Sequence, residues 1–146
     1  REDLFIFEKA PDTQVTFVPA TGDAPLRMRV ITPSGEYGYD RVEPVSPSLE
    51  DLERYAGRYY SSELDIYWTV EAADDHLVAK RRKYVDSELR SVFADGFSDN
   101  WEPLMGYPTT YLVVFERDEA GAVAGLRVSG TRVRNLWFGR QGGKGP

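Results

Sequence analysis

Cysteine is absent from the chain, and histidine occurs only once. The fold therefore contains no disulfide, and no thiol can act as a nucleophile. Long apolar runs are missing as well, because no segment approaches the roughly 20 consecutive apolar residues of a membrane-spanning helix. We therefore expect the fold to depend on an ordinary hydrophobic core, and we expect no membrane among the partners of this chain.

Basic residues are also in the minority. The chain has 18 lysines and arginines against 24 aspartates and glutamates, which gives a formal net charge of -6 at pH 7. Non-specific binding of nucleic acids needs a basic surface that displaces counterions from the phosphates. We therefore expect no nucleic acid among the partners, although a local basic patch is compatible with this charge.

The residues that are present are typical of a globular protein rich in strands. Hydrophobic residues make up 41% of the 146 residues and charged residues 29%, which is not the balance of a disordered chain. Aromatic residues reach 13%, which favours β structure over a helical bundle. The chain is long enough for one domain with a core, or for one domain and a fragment. Because it begins at Arg1, we expect it to be part of a longer protein.

Proline and serine mark a boundary inside the chain. The segment EPVSPS, residues 43–48, contains two prolines and two serines that interrupt any strand pairing. It divides a predicted partial β unit, residues 1–45, from a predicted β-barrel domain, residues 46–146. In the first part, short apolar segments between turn residues predict four strands, over residues 3–8, 14–18, 26–32 and 36–41.

The second part opens with a helix signal. Ser48 has the chemistry of a helix N-cap, and Asp51 stands three residues later, as in a capping box. The pattern predicts one short helix from Leu49 to Tyr55 that ends before Gly57.

Eight strand signals follow the helix at close spacing. The loops between them carry the Asp, Gly and Ser residues of hairpin turns. Side chains alternate, so that Ile66, Trp68 and Val70 share one face and Tyr67 and Thr69 share the other. The predicted strands cover residues 58–61, 65–72, 76–82, 87–93, 95–98, 110–117, 122–129 and 132–138. This spacing predicts an antiparallel meander that closes into a barrel or a sandwich, with a bulge as an alternative in the last segment.

The first part of the chain repeats a pattern of the second. Residues 14–30 (QVTFVPATGDAPLRMRV) resemble residues 112–128 (LVVFERDEAGAVAGLRV), since both contain Val-x-Phe, a hairpin with glycine and a Leu-Arg segment that ends in valine. The strands that follow carry the aromatic residues Tyr37, Tyr39, Trp137 and Phe138. Residues 1–42 therefore resemble the second half of a unit whose complete copy is 49–140. The alternative is that two unrelated hairpins have similar sequences.

A succession of motifs in the second part gives the chain a family resemblance. In order, they are LxxYAGRYYSSELDIYWTV (52–70), HLVAKRR (76–82), FADGF (93–97), VVFERDEAGAVAGLRV (113–128) and RVRNLWF (132–138). This succession resembles the lipocalin-like domain at the C-terminus of many serine hydrolases of the β-lactamase and penicillin-binding-protein superfamily. The first part matches less well, mainly through its similarity to the last strands of the barrel.

The resemblance implies an all-β fold: an antiparallel eight-stranded lipocalin-like meander barrel with one short helix, preceded by the partial β unit. The helix would plug one open end through Leu49, Leu52 and Tyr55. An eight-stranded barrel has room for packed side chains or for one small ligand. We expect the interior to be filled by Tyr59 or Tyr60, Trp68, Phe97, Phe115, Leu126 and Phe138.

The resemblance does not bring a catalytic site with it. Enzymes of the superfamily use a Ser-x-x-Lys nucleophile, a Tyr- or Ser-x-Asn tripeptide and a Lys- or His-Thr/Ser-Gly tripeptide. No serine of this chain has a lysine three residues later, and Lys-Thr-Gly does not occur. We therefore expect no catalytic residue, cofactor or metal ligand here, and we expect the catalytic domain to lie upstream in the same polypeptide.

Two polar clusters have a simple interpretation. His76 follows Asp74 and Asp75 in a turn and could hold a metal weakly, but a lone histidine of this kind is usually solvated. The basic run of residues 80–83 would divide between the two faces of a strand. We expect it to be a solvated strand end, with a contact to an acidic domain or to phosphate as the alternatives.

One long loop concentrates apolar residues outside the predicted strands. Trp101, Leu104, Met105 and Tyr107 belong to a segment, residues 99–111, that is too rich in proline and glycine to be a strand. We expect this loop to cover the barrel mouth and to pack on its own side chains. The alternative is an exposed surface that docks onto the catalytic domain or another subunit.

These observations predict a non-catalytic accessory domain of a serine hydrolase. Its expected partner is the upstream hydrolase domain of the same polypeptide, with another subunit as a second partner. The alternative is a lipocalin-like carrier of a small apolar ligand in the barrel interior. A stand-alone enzyme is the weakest hypothesis, because no set of polar groups converges in the sequence.

Overall fold

The computed structural model describes residues 3–101, 109–130 and 132–142 of the chain. The chain divides into two units, Arg1–Glu43 and Pro44–Pro146. Each unit has its own antiparallel sheet. Within the described residues, no helix is both long and apolar enough to cross a membrane.

The first unit is a four-stranded sheet in simple sequence order, β1-β2-β3-β4, with β1 and β4 at its edges. Tight turns join β1 to β2 and β3 to β4, whereas residues 19–26 join β2 to β3. Gly35 at the start of the last strand has a φ of 148°, which favours glycine. The strands are β1 (Asp3–Phe7), β2 (Ala10–Val18), β3 (Arg27–Thr32) and β4 (Gly35–Asp40).

The two faces of this sheet differ in chemistry. On one face, Arg27 pairs with Asp40 and Arg29 pairs with Glu36. The pairing register places apolar and aromatic side chains together on the opposite face. We call this the apolar face of the first sheet, and its described members are Phe5, Val15, Phe17, Met28, Val30, Tyr37 and Tyr39.

The second unit begins with the predicted helix, α1 (Leu49–Glu53). The capping box is confirmed: the Ser48 hydroxyl accepts the Asp51 backbone N–H, and the Asp51 carboxylate accepts the Ser48 N–H, each at 3.2 Å. The helix is shorter than predicted, because its last turn tightens. Tyr55 N–H donates to the carbonyl of Leu52 at 3.0 Å, a bond of the 3₁₀ type.

Eight strands then form a closed antiparallel barrel, which confirms the predicted fold class. Each strand pairs with its neighbours in sequence, and β12 returns to pair with β5 through Gly139–Tyr60 and Arg140–Tyr59. The strands are β5 (Gly57–Ser61), β6 (Ile66–Ala72), β7 (Leu77–Arg81), β8 (Ser87–Phe93), β9 (Gly96–Trp101), β10 (Thr109–Arg117), β11 (Val123–Ser129) and β12 (Leu136–Arg140).

The last strand starts later than predicted and has no register shift in its described pairing. Asn135 has a φ of 53°, so the chain turns there, and the strand begins only at Leu136. Asn135 N–H donates to the hydroxyl of Ser129 at 3.0 Å, which fixes this turn. The register shifts of the barrel lie instead in β8, between Ser91 and Phe93, and at the end of β10.

The predicted interior residues are buried in the barrel. Of the two neighbouring tyrosines, Tyr59 points inward, whereas Tyr60 lies on the outer wall and stacks on Tyr67 with the ring centroids 4.7 Å apart. Ile66, predicted to share the inner face with Trp68, is exposed because it stands at the first position of β6. The confirmed members, each at most 7% exposed, are Tyr59, Trp68, Phe97, Phe115, Leu126 and Phe138.

Two of the three predicted plug residues reach the core. Leu52 and Tyr55 are buried, and the Tyr55 ring packs between those of Phe97 and Phe115, with centroids 5.1 and 4.7 Å away. The prediction for Leu49 was wrong, since its side chain is 45% exposed. Leu49 stands at the first position of a five-residue helix, almost one turn before Leu52, and does not reach the opening.

Candidate functional site

The two ends of the barrel differ. At the α1 end, Leu52 and Tyr55 fill the opening. At the opposite end, where β6 begins and β7 ends, there is an open cavity of about 400 Å³. We call it the mouth cavity. Its mostly apolar lining includes Trp68, Tyr111, Val128, Leu136 and Phe138.

Trp68 forms part of the wall of the mouth cavity. Its ring packs on Phe138 with the centroids 5.0 Å apart, and its side chain is buried. Its indole Nε1 is shielded from solvent and finds no hydrogen-bond partner among the described residues. A buried donor without an acceptor costs about 1–3 kcal/mol. Trp68 therefore contributes an apolar ring surface to the cavity.

Arg81 supplies a positive charge to the same cavity. Its Nη2 donates to the hydroxyl of Ser87 at 2.5 Å, and its guanidinium carbon lies 5.3 Å from the ring centroid of Trp68 and 5.6 Å from that of Tyr84. Its buried Nε has no partner in the described part of the chain. The cavity therefore combines an apolar wall with the positive charge of Arg81, which suits an apolar molecule that carries an anionic group.

The sequence reasoning missed the polar groups inside the barrel. Ser87 and Asp99 are both buried, next to the inward-facing Leu89 and Phe97 of their strands. The sequence contained this information, because residues two positions apart in a strand lie on the same face. Ser87 therefore shares a face with Leu89, and Asp99 shares a face with Phe97. Each apolar residue marks the inner face for its neighbour two positions away.

The tripeptide Ser98-Asp99-Asn100 matches the letters of the Ser-x-Asn motif, but it lies in the wall of the barrel on β9. Along this strand Ser98 falls on the face opposite to that of Phe97 and Asp99. The chain provides no Ser-x-x-Lys nucleophile to complete such a site. The match therefore carries no catalytic assignment.

The basic run of residues 80–83 divides between the two faces, as its strand position predicts. Lys80 points outward and pairs with Glu71 at 2.6 Å, whereas Arg81 contributes to the mouth cavity. Arg82 and Lys83 follow in the turn after β7 and form no ion pair among the described residues. The run is thus not one continuous patch.

A hydrogen-bonded cluster joins α1 to the barrel at the closed end. The Tyr55 hydroxyl donates to Asp95 Oδ1 at 2.8 Å, and Arg117 Nη2 donates to the same oxygen at 2.7 Å. Arg117 also donates to the carbonyl of Gly121 at 2.9 Å. We call Tyr55, Asp95 and Arg117 the helix latch.

The pKa shifts of Asp95 and Tyr55 in the helix latch indicate a structural role and not an acid-base role. Hydrogen bonding from Arg117 lowers the pKa of Asp95, and the bond from Tyr55 adds to this effect. Burial, followed by the contact with Asp95, raises the pKa of Tyr55. Asp95 is thus held as a carboxylate and Tyr55 as a neutral phenol, so neither is set to exchange a proton near neutral pH.

Two further bonds fix the connection between α1 and β5. The buried Tyr59 hydroxyl donates to the carbonyl of Tyr55 at 2.5 Å, and burial raises the pKa of Tyr59 to about 12. Arg140 Nη2 donates to the carbonyl of Ala56 at 2.6 Å. These side chains satisfy carbonyls at the end of the helix that lack helical partners.

The predicted loop site falls largely outside the described part of the chain. Trp101 is the last residue of β9, but its side chain is not described. Leu104, Met105 and Tyr107 lie outside the described residues altogether. Mouth-covering and docking therefore both stay predictions for this loop.

The single histidine has an ordinary surface partner. His76 Nδ1 lies 2.8 Å from Asp75 Oδ1, and Asp75 also contacts Arg90 at 3.2 Å. Within the part of the chain that the structure describes, no group of three or more His, Cys, Asp or Glu side chains could hold a metal.

The comparisons with known proteins do not extend this description. No protein-family model matches the chain. No curated protein matches it either.

Proposed function

We propose that the chain is a non-catalytic accessory β-barrel domain of a β-lactamase-related serine hydrolase, which packs on the catalytic domain or connects subunits. The proposal starts from the ordered motifs that resemble the lipocalin-like C-terminal domain of such enzymes. It does not depend on any single motif, because each of them alone is short.

The observation that best supports the proposal is the role of the motif residues in the barrel. Tyr55 belongs to the first motif, Asp95 to FADGF and Arg117 to the fourth motif, and together they form the helix latch. Polar residues far apart in sequence thus serve to close one end of the barrel. Such use of the motif residues supports a structural role for this domain.

The interior of the barrel also favours binding over catalysis. Ser87 is a buried hydroxyl near the mouth cavity, but its described partner is the donor Arg81 and not a general base. A nucleophilic serine needs a base within hydrogen-bond reach to take its proton. The described residues give Ser87 no such neighbour.

The proposal is tested in the polypeptide that the gene encodes. If residues 44–146 support a hydrolase domain, their deletion should lower the thermal unfolding midpoint of that domain or change its subunit number. Calorimetry and light scattering after size-exclusion chromatography measure the two quantities. The control is removal of residues 143–146 alone, which leaves all eight barrel strands in place.

An encoded polypeptide without a Ser-x-x-Lys domain would refute the proposal. It would also be refuted if the deletion of residues 44–146 left the midpoint, the subunit number and the hydrolase kinetics unchanged.

The mouth cavity supports a second candidate function, a carrier of a small apolar ligand. Its volume of about 400 Å³ falls within the range of pockets that hold small molecules. The lining is mostly apolar, and Arg81 adds a positive charge that can pair with an anionic group of the ligand. A medium-chain carboxylate such as decanoate combines the two required chemistries.

Calorimetric titration with decanoate tests this candidate. Val133 lines the cavity, so Val133→Trp should fill it and abolish binding, whereas Arg132→Trp, one residue away on the exposed side, should leave binding intact. Absence of binding to the unaltered chain, or equal binding by Val133→Trp, would reject the carrier.

A further inference from the structure

The apolar face of the first sheet is uncovered to a degree that a folded β protein does not usually show. Phe5 is 54% exposed, Tyr37 44% and Tyr39 52%. Large contiguous apolar surfaces of this kind mark interaction sites. The first sheet also has two edge strands, β1 and β4, whose outer backbone groups are free to pair.

Strands β1–β4 of the first sheet correspond to strands β9–β12 of the barrel, with equivalent residues paired across the strands. The barrel therefore shows how a sheet of this kind is covered. The hairpin β2–β3 is paired residue by residue like β10–β11, and the flanking strands continue the match. The equivalent cross-strand pairs are Val15–Val30 and Val113–Val128, Phe17–Met28 and Phe115–Leu126, Met28–Tyr39 and Leu126–Phe138, and Phe5–Val15 and Phe97–Val113.

The outer faces of the two sheets correspond as well. Arg29 occupies the position of Arg127, and each forms an ion pair, although Glu36 is on β4 and Glu116 is on β10, which are not equivalent strands. Trp137 covers Gly125 in the barrel, where an added Cβ would lie 2.3 Å from the indole. In the first sheet the large and the small residue exchange places. The large Arg27 stands at the position of Gly125, and Gly38 stands at the position of Trp137.

Six of the seven matched positions are more exposed in the first sheet than in the barrel, whereas the seventh, Val15, is buried in both. In the barrel, the equivalents of the apolar face are at most 7% exposed, because β5–β8 and α1 close over them. This covering half directly precedes β9 in the chain, and it runs from Leu49 to Phe93. Its last strand pairs with β9 and its first strand with β12.

We propose that β1–β4 is the second half of another eight-stranded barrel, completed by a helix and four antiparallel strands encoded directly before Arg1 in the same polypeptide. The segment spans about 45 residues, the length from Leu49 to Phe93. Its first strand pairs with β4 and its last strand with β1, and its inward side chains cover the apolar face. This inference is independent of the proposed function, since it concerns only the completion of the first sheet.

Cysteine labelling tests the proposal cleanly, because the chain has no cysteine of its own. Tyr39→Cys places a thiol on the apolar face, and Gly38→Cys places one on the opposite face of the same strand. In the gene-encoded polypeptide with its upstream residues, the maleimide reaction of Tyr39→Cys should be slower by about tenfold or more than in the 146-residue chain. The reaction of Gly38→Cys should be unchanged.

Tyr37→Cys provides a second reporter on the apolar face should Tyr39→Cys not fold. Equal labelling of the apolar-face cysteines in both polypeptides would overturn the proposal. So would a gene that encodes no strand-forming segment before Arg1. A 146-residue chain that is already dimeric by sedimentation, with Tyr39→Cys protected, would also overturn it, because a second copy would then cover the face.

Discussion

Individual side chains decide how α1 is held against the barrel. The Tyr55 hydroxyl and the Arg117 guanidinium both donate hydrogen bonds to the Asp95 carboxylate. The Tyr59 hydroxyl donates a hydrogen bond to the carbonyl of Tyr55. The bonds of Tyr55 and Tyr59 are partly or fully shielded from water, whereas the Arg117–Asp95 bond is exposed. Hydrogen bonds to a charged group contribute about 1.5–3 kcal/mol, and exposure lowers the contribution of an ion pair. The residues come from the turn after α1, β5, the β8–β9 turn and β10, so each one ties a separate part of the chain to the closed end.

Asp95→Asn should destabilise the protein by about 1–3 kcal/mol at pH 7, because the amide removes the charge that Arg117 and Tyr55 stabilise. The pKa of Asp95 is lowered in the folded state, so its contribution is present above the ordinary pKa of 3.8 and is lost as the pH falls through the folded value. Urea unfolding should thus give a lower free energy of unfolding for Asp95→Asn than for the unaltered chain at pH 7. This difference should become smaller in strong acid. Glu119→Gln, an exposed change in the neighbouring hairpin, should show no difference at either pH.

Tyr59→Phe tests the other end of the pH scale. The pKa of Tyr59 is raised from 10.0 to about 12, so the stability from its neutral hydroxyl is complete below pH 10 and is lost as the pH rises to about 12. The variant should lose about 0.5–1.5 kcal/mol at neutral pH and should unfold with a weaker pH dependence between 10 and 12. Tyr67→Phe on the outer wall should keep the dependence of the unaltered chain. A Tyr59→Phe curve parallel to that of the unaltered chain in this range would contradict the assignment.

At the scale of the elements, local patterns predicted the structure well wherever a single turn or strand decides it. Ser48 and Asp51 indicated the capping box, and alternation placed Trp68 and Val70 on one face, which is the buried one. The errors lie at the ends of elements. Asn135 adopts a left-handed conformation, so β12 begins only after it. An asparagine does not by itself predict this conformation, because the conformation depends on the contacts of the turn.

The capping box should be measurable because α1 is too short to persist by its own propensity. Ser48→Ala removes the oxygen that accepts the Asp51 N–H and should destabilise the barrel by about 1 kcal/mol. Ser46→Ala, in the exposed segment before the helix, is the matched control and should have no effect. Chemical unfolding of both variants compares them, and equal stability would show that the cap contributes nothing to the fold.

At the scale of the whole molecule, the closure between β12 and β5 joins residues about 80 positions apart. The strand spacing was compatible with a barrel or a sandwich, and the family resemblance predicted the barrel. The meander order was accessible because every connection between the predicted strands but one is short. The mouth cavity could not be predicted from the sequence. It depends on the packing of Trp68, Phe138 and Arg81, which lie on three different strands. The register shared by the two sheets was suggested by one similar pair of segments and becomes explicit only in the strand pairing.

If the proposed function is right, this chain acts as an accessory domain and has no hydrolytic activity of its own. The most direct measurement compares the purified 146-residue chain with the full encoded polypeptide, at equal molar concentration, on nitrocefin and D-amino-acid peptide substrates. The account predicts no turnover by the 146-residue chain, whatever the activity of the longer polypeptide. Saturable turnover by the 146-residue chain that disappears on unfolding would contradict it.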